Sequence, residues 1–332
     1  MLTRPGLQAS RHGAAMADAL APPHDQYRRL LAACDALPPL AMAVAHPCDA
    51  PSLGGAMAAA RAGLVLPVLV GPRARVEAAA QEAGCDISRV EIVDTPHSHA
   101  SAARAVALVR EGRVGALMKG SLHTDELMAA VVARDTGLRT ERRISHCFVM
   151  AVPGRDEPLI LTDAAVNIAP TLEDKIDIVQ NAIDLAHALG FAEARVAILS
   201  AMETVNPKIP STIEAAALCK MADRGQIVGG LIDGPLALDN AIDPEAAAIK
   251  KITSPVAGRA NVLVVPDLEA GNMLAKSLSF LAGADCAGIV LGARVPIVLT
   301  SRADSEMARL ASCCVAVLVA RAGLRKVARP QS

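Results

Sequence analysis

The sequence predicts an α/β protein, and three observations carry that prediction. Short apolar runs alternate with longer Ala-rich runs of helical spacing, joined by brief connections marked by Gly and Pro; this is the rhythm of right-handed βαβ units on a parallel sheet. The chain is 52% hydrophobic but only 1% aromatic, with no Trp, one Tyr and three Phe. Its cores must therefore be built from Ala, Val, Ile and Leu, as in buried parallel strands with helices packed on them. Its 332 residues are enough for two domains and a sizeable core.

Residues 1–24 read as a loose tail of small residues ending at Ala21-Pro22-Pro23, and Asp25 to Leu37 as a first helix. Ala41 to Ala45 is a strand closed by His46-Pro47, followed by an Ala-rich helix from Ser52 to Ala62. Val65 to Val70 is a strand closed by Gly71-Pro72, and Arg73 to Ala83 a helix that Gly84 ends. Val90 to Val93 is a strand and His99 to Arg110 a helix ended by Gly112. Val114 to Met118 is a strand and Thr124 to Arg134 a helix stopped by Gly137.

The rhythm changes near Arg139. Ser145 to Val152 and Leu159 to Leu161 are strands split by Pro153-Gly154-Arg155-Asp156, which predicts a hairpin and a domain boundary close by. Thr171, with Asp174 three residues on, opens a helix through a variant capping box. Leu172, Ile176, Val179, Ile183, Ala186 and Leu189 line one face of it, and Gly190 ends it. Strands follow at Val196 to Leu199, Ile227 to Ile232, Val262 to Val265 and Ala287 to Leu291, with helices at Ser211 to Ala222, Pro244 to Lys251 and Leu268 to Leu281. Val295 to Leu299 is the last strand; the closing helix carries Met307, Leu310, Ala311, Cys314, Val315 and Leu318 on one face.

A formal charge of −1 offers no basic field for nucleic acid. No uninterrupted apolar run is long enough to cross a bilayer and no signal peptide is visible, so a soluble cytoplasmic protein is expected. The eight Cys are scattered without a CxxC pair, as expected of small buried residues in a reducing compartment. His97 and His99 lack a visible acidic partner, so no metal is expected.

Polar residues cluster where strands end, which is where an open α/β sheet binds its ligands. These clusters are Lys119-Gly120-Ser121 with Thr124, Asp163 with Asn167, the Ser200 to Lys208 stretch with Asn206, Asp267 to Asn272 with Gly271, and Thr300 to Asp304. Each junction also needs a helix cap, and Asp125, Thr171 and Asp267 are expected to serve as caps. Lys119-Gly120-Ser121 is not read as a Walker motif. No GxGxxG occurs. Ser301-Arg302-Ala303-Asp304 follows a strand and precedes a long helix, so a hydroxyl, a guanidinium and a helix N-terminus converge on one place suited to a phosphate.

The segments LMKGSLHTDELM, GLRTERRISHCFVM, LTDAAVNIAPTLEDK, PDLEAGN and LTSRADS resemble the phosphate acetyl/butyryltransferase family, over roughly the whole chain after Asp25. The similarity is nearest to the phosphate acetyltransferase half of bifunctional enoyl-CoA hydratase/phosphate acetyltransferases. It implies two three-layer α/β domains with a cleft between them, of the isocitrate/isopropylmalate dehydrogenase type. The first domain would comprise 25–143 and 300–332, and the second 144–299. It further implies a homodimer that uses acyl-CoA, acyl phosphate and phosphate, with coenzyme A as a substrate and no tightly bound cofactor or metal.

In that resemblance Ser301 and Arg302 match the functional Ser-Arg pair. Arg302 would neutralise the phosphoryl group and Ser301 would donate a hydrogen bond as charge develops. Lys119, Gly120, Ser121, Thr124, Asp163, Asn167, Asn206, Gly271 and Asn272 would line the substrate. A CoA thiol must become a thiolate, so a carboxylate should take its proton. Acetyltransferases carry that carboxylate seven residues after the Ser; here the position is Ala308, and Asp304 is the substitute. No Arg occurs from Ser277 to Phe280, where some acetyltransferases have one, which leaves acyl-chain length open. Two other readings stand beside this one. The first is a non-catalytic CoA- or phosphate-binding homologue. The second is a decarboxylating dehydrogenase, which would need an acid/base Tyr although Tyr27 is the only one.

Overall fold

A computed structural model of the chain describes residues 25–299 and 304–328. The tail at 1–24 lies outside them. In order the elements are α1 (Asp25–Ala32), β1 (Leu40–Ala45), α2 (Ala50–Arg61), β2 (Val65–Gly71), α3 (Arg73–Glu82), β3 (Glu91–Asp94), α4 (Ser98–Arg110), β4 (Ala116–Lys119) and α5 (Thr124–Val132). Then come β5 (Ser145–Ala151), β6 (Leu159–Thr162), α6 (Leu172–Ala188), β7 (Ala194–Leu199), α7 (Pro210–Asp223), β8 (Gly230–Leu236), α8 (Leu238–Ile242) and α9 (Pro244–Ile249). The chain closes with β9 (Val262–Val264), α10 (Leu268–Leu281), β10 (Asp285–Leu291), β11 (Ile297–Val298) and α11 (Glu306–Ala328).

Among the described residues all eleven strands join one sheet, in the order β3-β2-β1-β4-β11-β10-β5-β6-β9-β7-β8. Strands β3, β2, β1, β4 and β11 run parallel to one another. Strands β10, β5 and β6 then alternate in direction, and β6, β9, β7 and β8 are again parallel. The predicted hairpin is β5 and β6, with Cys147 opposite Thr162 and Met150 opposite Leu159.

Both faces of the sheet are buried. In β1, Met42 and Val44 enter the apolar cluster beneath α2 and α11, whereas Ala43 and Ala45 enter the cluster beneath α4 and α5. The period of two is thus hidden in sequence, because every position is apolar. Helix α2 closes on α11 through Gly55, where a Cβ would stand 2.6 Å from Arg309 Cδ.

Several expectations are corrected. The strand expected at 227–232 is β8, running from Gly230 to Leu236; Gly229 turns the chain at φ +88 just before it. Helix α8 went unforeseen. The last strand shrinks to Ile297–Val298. In α11 the buried residues run continuously from Ala311 to Val317, because α2, α6 and β10 all pack against it, so Cys313 is as enclosed as Cys314. Asp125 is not a cap: His123 holds that position ahead of α5. Thr171 and Asp267 cap α6 and α10 as expected. Among the described residues no helix is long and apolar enough to cross a membrane.

Candidate active site

The turn after β4 is held too tightly for any side chain at its centre. A Cβ on Gly120 would stand 2.4 Å from Ala45 O and 2.5 Å from His46 O. Ser121 Oγ donates to His46 O at 2.8 Å, which laces the turn to the end of β1. Lys119 is buried, and its ammonium donates to the carbonyls of Gly120 and Leu122, both at 3.2 Å. Thr124 is exposed at the first position of α5.

The turn after β6 is organised by one carboxylate. Asp163 is buried and accepts from the backbone N–H groups of Ala165, Val166 and Asn167 and from Asn167 Nδ2. Asn167 Nδ2 also donates to Ile144 O at 2.9 Å, and Arg143 Nε donates to Asn167 Oδ1 at 2.8 Å. Helix α10 lies on this turn: a Cβ on Gly271 would stand 2.7 Å from Asp163 O, and Asn272 Nδ2 donates to Ala164 O at 3.4 Å. Asp163, Asn167, Gly271 and Asn272, far apart in sequence, therefore form one group.

Three of the predicted strand ends meet on a shared apolar cluster. It contains Leu122 and Leu127 from the β4 side, with Val166 from the β6 turn and Leu299 from the end of β11 packed against it. Asn206 is not joined to them by any described contact. Its backbone and side chain shape the entry to α7, accepting from Thr212 Oγ1 and Lys208 N.

Ser301 and Arg302 lie outside the described residues. Asp304 is half-buried just ahead of α11, where its carbonyl accepts from Arg309 Nη2 at 3.3 Å. The cap of α11 is Ser305, whose Oγ accepts from Ala308 N at 3.1 Å. Burial pushes the Cys286 thiol upward, and the Asp304 carboxylate raises it further.

Three features escaped the sequence. An open hollow of about 290 Å³ beside Ser121 is lined by His46, Arg75, Ser98, His123 and Glu126. His46 bends there with φ 57, and its Nδ1 pairs with Ser101 Oγ at 3.0 Å. Burial and the Arg75 guanidinium hold its pKa below the usual imidazole value. Burial raises Glu126, but hydrogen bonds from Ser98 Oγ and His123 N outweigh this and keep it below the usual carboxylate range. The second feature is Arg143, which anchors Asn167 and contacts Asp174 Oδ1 at 3.1 Å. The third is His146, buried in β5. The His97–His99 pair had offered a polar signal in sequence; a φ or a cross-strand neighbour leaves none. Among the described residues no group of three or more His, Cys, Asp or Glu is gathered to hold a metal ion.

Residues 98–317 match the family described as phosphate acetyl/butaryl transferase. The phosphate acetyltransferase of Rhizobium meliloti is 68% identical over 295 residues, covering 89% of this chain and 93% of its own. The phosphate butyryltransferase of Clostridium acetobutylicum is 42% identical over 281 residues, 85% of this chain and 93% of its own. Among solved structures, the branched-chain phosphotransacylase from Enterococcus faecalis V583 superposes with a TM-score of 0.74 at 31% identity, covering 85% of this chain and 99% of that one.

Proposed function

The chain belongs to the phosphate acetyl/butaryl transferase family and is an acyltransferase, and on that premise we propose that its reaction centre is the meeting place of the β4, β6 and β11 ends. It transfers a short acyl group between CoA and phosphate. In the proposed step the CoA thiolate attacks the carbonyl carbon of the acyl phosphate. A C–S bond forms, the C–O bond to phosphorus breaks, and phosphate leaves with the electron pair. Asp304 takes the thiol proton. Arg302 and the first turn of α11 carry the phosphoryl charge, and Ser301 donates to the oxygen on which charge develops.

One observation carries this reading. Leu122, Val166 and Leu299 belong to a single apolar cluster, which supports a site shared by the Lys119-Gly120-Ser121 turn, the Asp163–Asn167 turn and the end of β11. Asn206 is the weakest member of the proposed set, since it serves its own turn. A dehydrogenase reading finds no support, because Tyr27 is buried at 2% exposure with its hydroxyl unpartnered among the described residues.

The finer proposals follow. The first domain comprises 25–143 with 300–332 and the second 144–299; α11 packs on α2 of the first and on α6 and β10 of the second. A homodimer is supported by Met273, Phe280 and Leu281, exposed together on α10. A cytoplasmic location is supported by all eight cysteines being free thiols.

The test is CoA-dependent consumption of acetyl, butyryl and longer acyl phosphates by the purified chain and by Arg302→Ala. Thioester formation by the parent and its loss in a folded variant is the expected result. Full activity in Arg302→Ala would remove that residue from the mechanism.

A further inference from the structure

The first and last helices of the described chain meet at a pair of thiols. Cys34 follows α1 in a tight turn, where its backbone N–H donates to Leu31 O at 2.8 Å. The carbonyl of Leu30 therefore lacks its helical donor four residues on. The Cys314 thiol of α11 donates to it instead, at 2.9 Å. The Cys34 thiol lies as a donor 3.7 Å from Cys314 O, across 280 residues of sequence. The two thiols also hydrogen-bond to one another. Each sulfur carries one proton, so these are alternative contacts of one thiol pair. Both residues are buried, at 5% and 0% exposure, and both belong to the apolar cluster beneath α2 and α11.

The two sulfurs are unequal. The hydrogen bond with Cys314 lowers the Cys34 thiol below its ordinary value, against burial and the Asp35 carboxylate. The Cys34 sulfur and burial raise Cys314, with Cys313 and Asp35 adding to the effect. Cys34 therefore supplies the thiolate of the pair, which is the nucleophilic form. Its position also favours access. It borders α1, a helix of eight residues at the start of the described chain, and short terminal elements open locally at low free energy. Cys314 sits instead in the continuously buried run of α11 from Ala311 to Val317.

We propose that Cys34 and Cys314 are a modification site: in the presence of a peroxide they form a reversible disulfide that ties α1 to α11. The Cys34 thiolate attacks one peroxide oxygen, the O–O bond breaks, and the departing hydroxide leaves as water with the thiol proton. Cys34 is then a sulfenic acid. The Cys314 sulfur attacks the Cys34 sulfur, an S–S bond forms, the S–O bond breaks, and a second water leaves with the Cys314 proton. Two thiols are oxidised to one disulfide, and one peroxide is reduced to two waters. Sulfurs already in hydrogen-bond contact reach the bond length of about 2.0 Å by side-chain rotation and a small shift of α1. The bond spans 280 residues, and the stabilisation that a crosslink brings grows with the loop it closes.

The experiment exposes the reduced full-length chain to a slight excess of hydrogen peroxide, alkylates the remaining thiols, digests without reductant and reads the peptides by mass spectrometry. The expected product is a linked pair of peptides two hydrogens lighter than their sum. Fragmentation should place the bond on Cys34 rather than Cys48 and on Cys314 rather than Cys313. The thermal midpoint of the oxidised chain is expected to rise by about 5 °C or more, and dithiothreitol to return it to the reduced value. Cys34→Ser is expected to abolish both the linked peptide and the rise. Alkylation of both sulfurs after peroxide overturns the proposal. So does a bond from Cys34 to any other cysteine, a disulfide between two chains, or Cys34 left unlinked as a sulfinic acid. A Cys34–Cys314 bond that leaves the midpoint unchanged overturns the tie between the helices. The parent chain alone decides the pairing, so the test stands even where Cys34→Ser does not fold.

Discussion

Asn167 Nδ2 donates to Asp163 Oδ2 at 2.6 Å inside a turn where the same carboxylate also gathers three backbone N–H groups. Asp163→Ala leaves those donors without an acceptor in a buried place. It is expected to lower stability by about 3 kcal/mol or more, read as a urea midpoint, with activity lost in parallel. Asp163→Asn keeps one acceptor oxygen and should lose about half as much. An unchanged midpoint in Asp163→Ala would mean the turn is held by other contacts.

Gly120 has backbone oxygens where a methyl group would go, at 2.4 and 2.5 Å. Backbone cannot rotate away, so Gly120→Ala should destabilise by about 2–3 kcal/mol and displace Lys119 and Ser121. Gly63 has φ +71 but nothing within 4 Å. Gly63→Ala should cost only about 1 kcal/mol and leave activity intact. Equal losses in the two would refute the steric account.

The division of labour between Asp304 and Ser305 can be separated by substitution. Ser305 caps α11, so Ser305→Ala should lose about 1 kcal/mol of stability. Asp304→Asn should keep the thermal midpoint and lower kcat by about 10²-fold if it is the general base. A drop in midpoint with unchanged kcat would assign Asp304 a structural part.

Acid should destabilise the fold through His146. The group titrates near about 4 in the folded chain against 6.5 ordinarily. Between those values the unfolded chain binds a proton that the folded chain refuses. Stability is therefore fully present above 6.5, is lost as pH falls toward about 4, and loses no more to this group below that. Asp163 is the charged group facing the ring. His46, lowered by burial and by Arg75, adds to the same trend. Thermal midpoints across this window should fall less steeply in His146→Gln; identical slopes would exclude His146 as the cause.

The apolar face of α10 makes a prediction about assembly. Phe280 and Leu281 are 82% and 86% exposed, a state better explained by a covering partner than by solvent. Phe280→Glu should shift sedimentation from dimer to monomer with the fold intact. A parent that sediments as a monomer would remove the dimer proposal.

Much of the fold was legible because its signals are local. The Thr171 capping box, the 268–281 helix and the 145–162 hairpin each depend on residues within one or two turns of chain. Strand β8 was misplaced because Ile227 and Val228 continue an apolar run across Gly229, and only the backbone turn there decides where pairing with β7 begins. In the site, the clusters at Lys119 and Asp163 were visible as polar residues at strand ends. Arg143, His46 and His146 were not, because each is defined by a partner far away in sequence.

By itself, the sequence determined the α/β class, the order of strands and of every helix but α8 along the chain, and the polar character of the strand ends. Periodicity, caps and glycine stops are short-range properties, and each is written within a few residues. Only the tertiary structure decided which strand ends become neighbours: it set β11 between β4 and β10 and laid α10 on the Asp163 turn. It also settled that Gly288 is bare because His146 lies over it. Those pairings follow from burying apolar faces of distant segments against one another, and no local pattern records which distant face will be the partner.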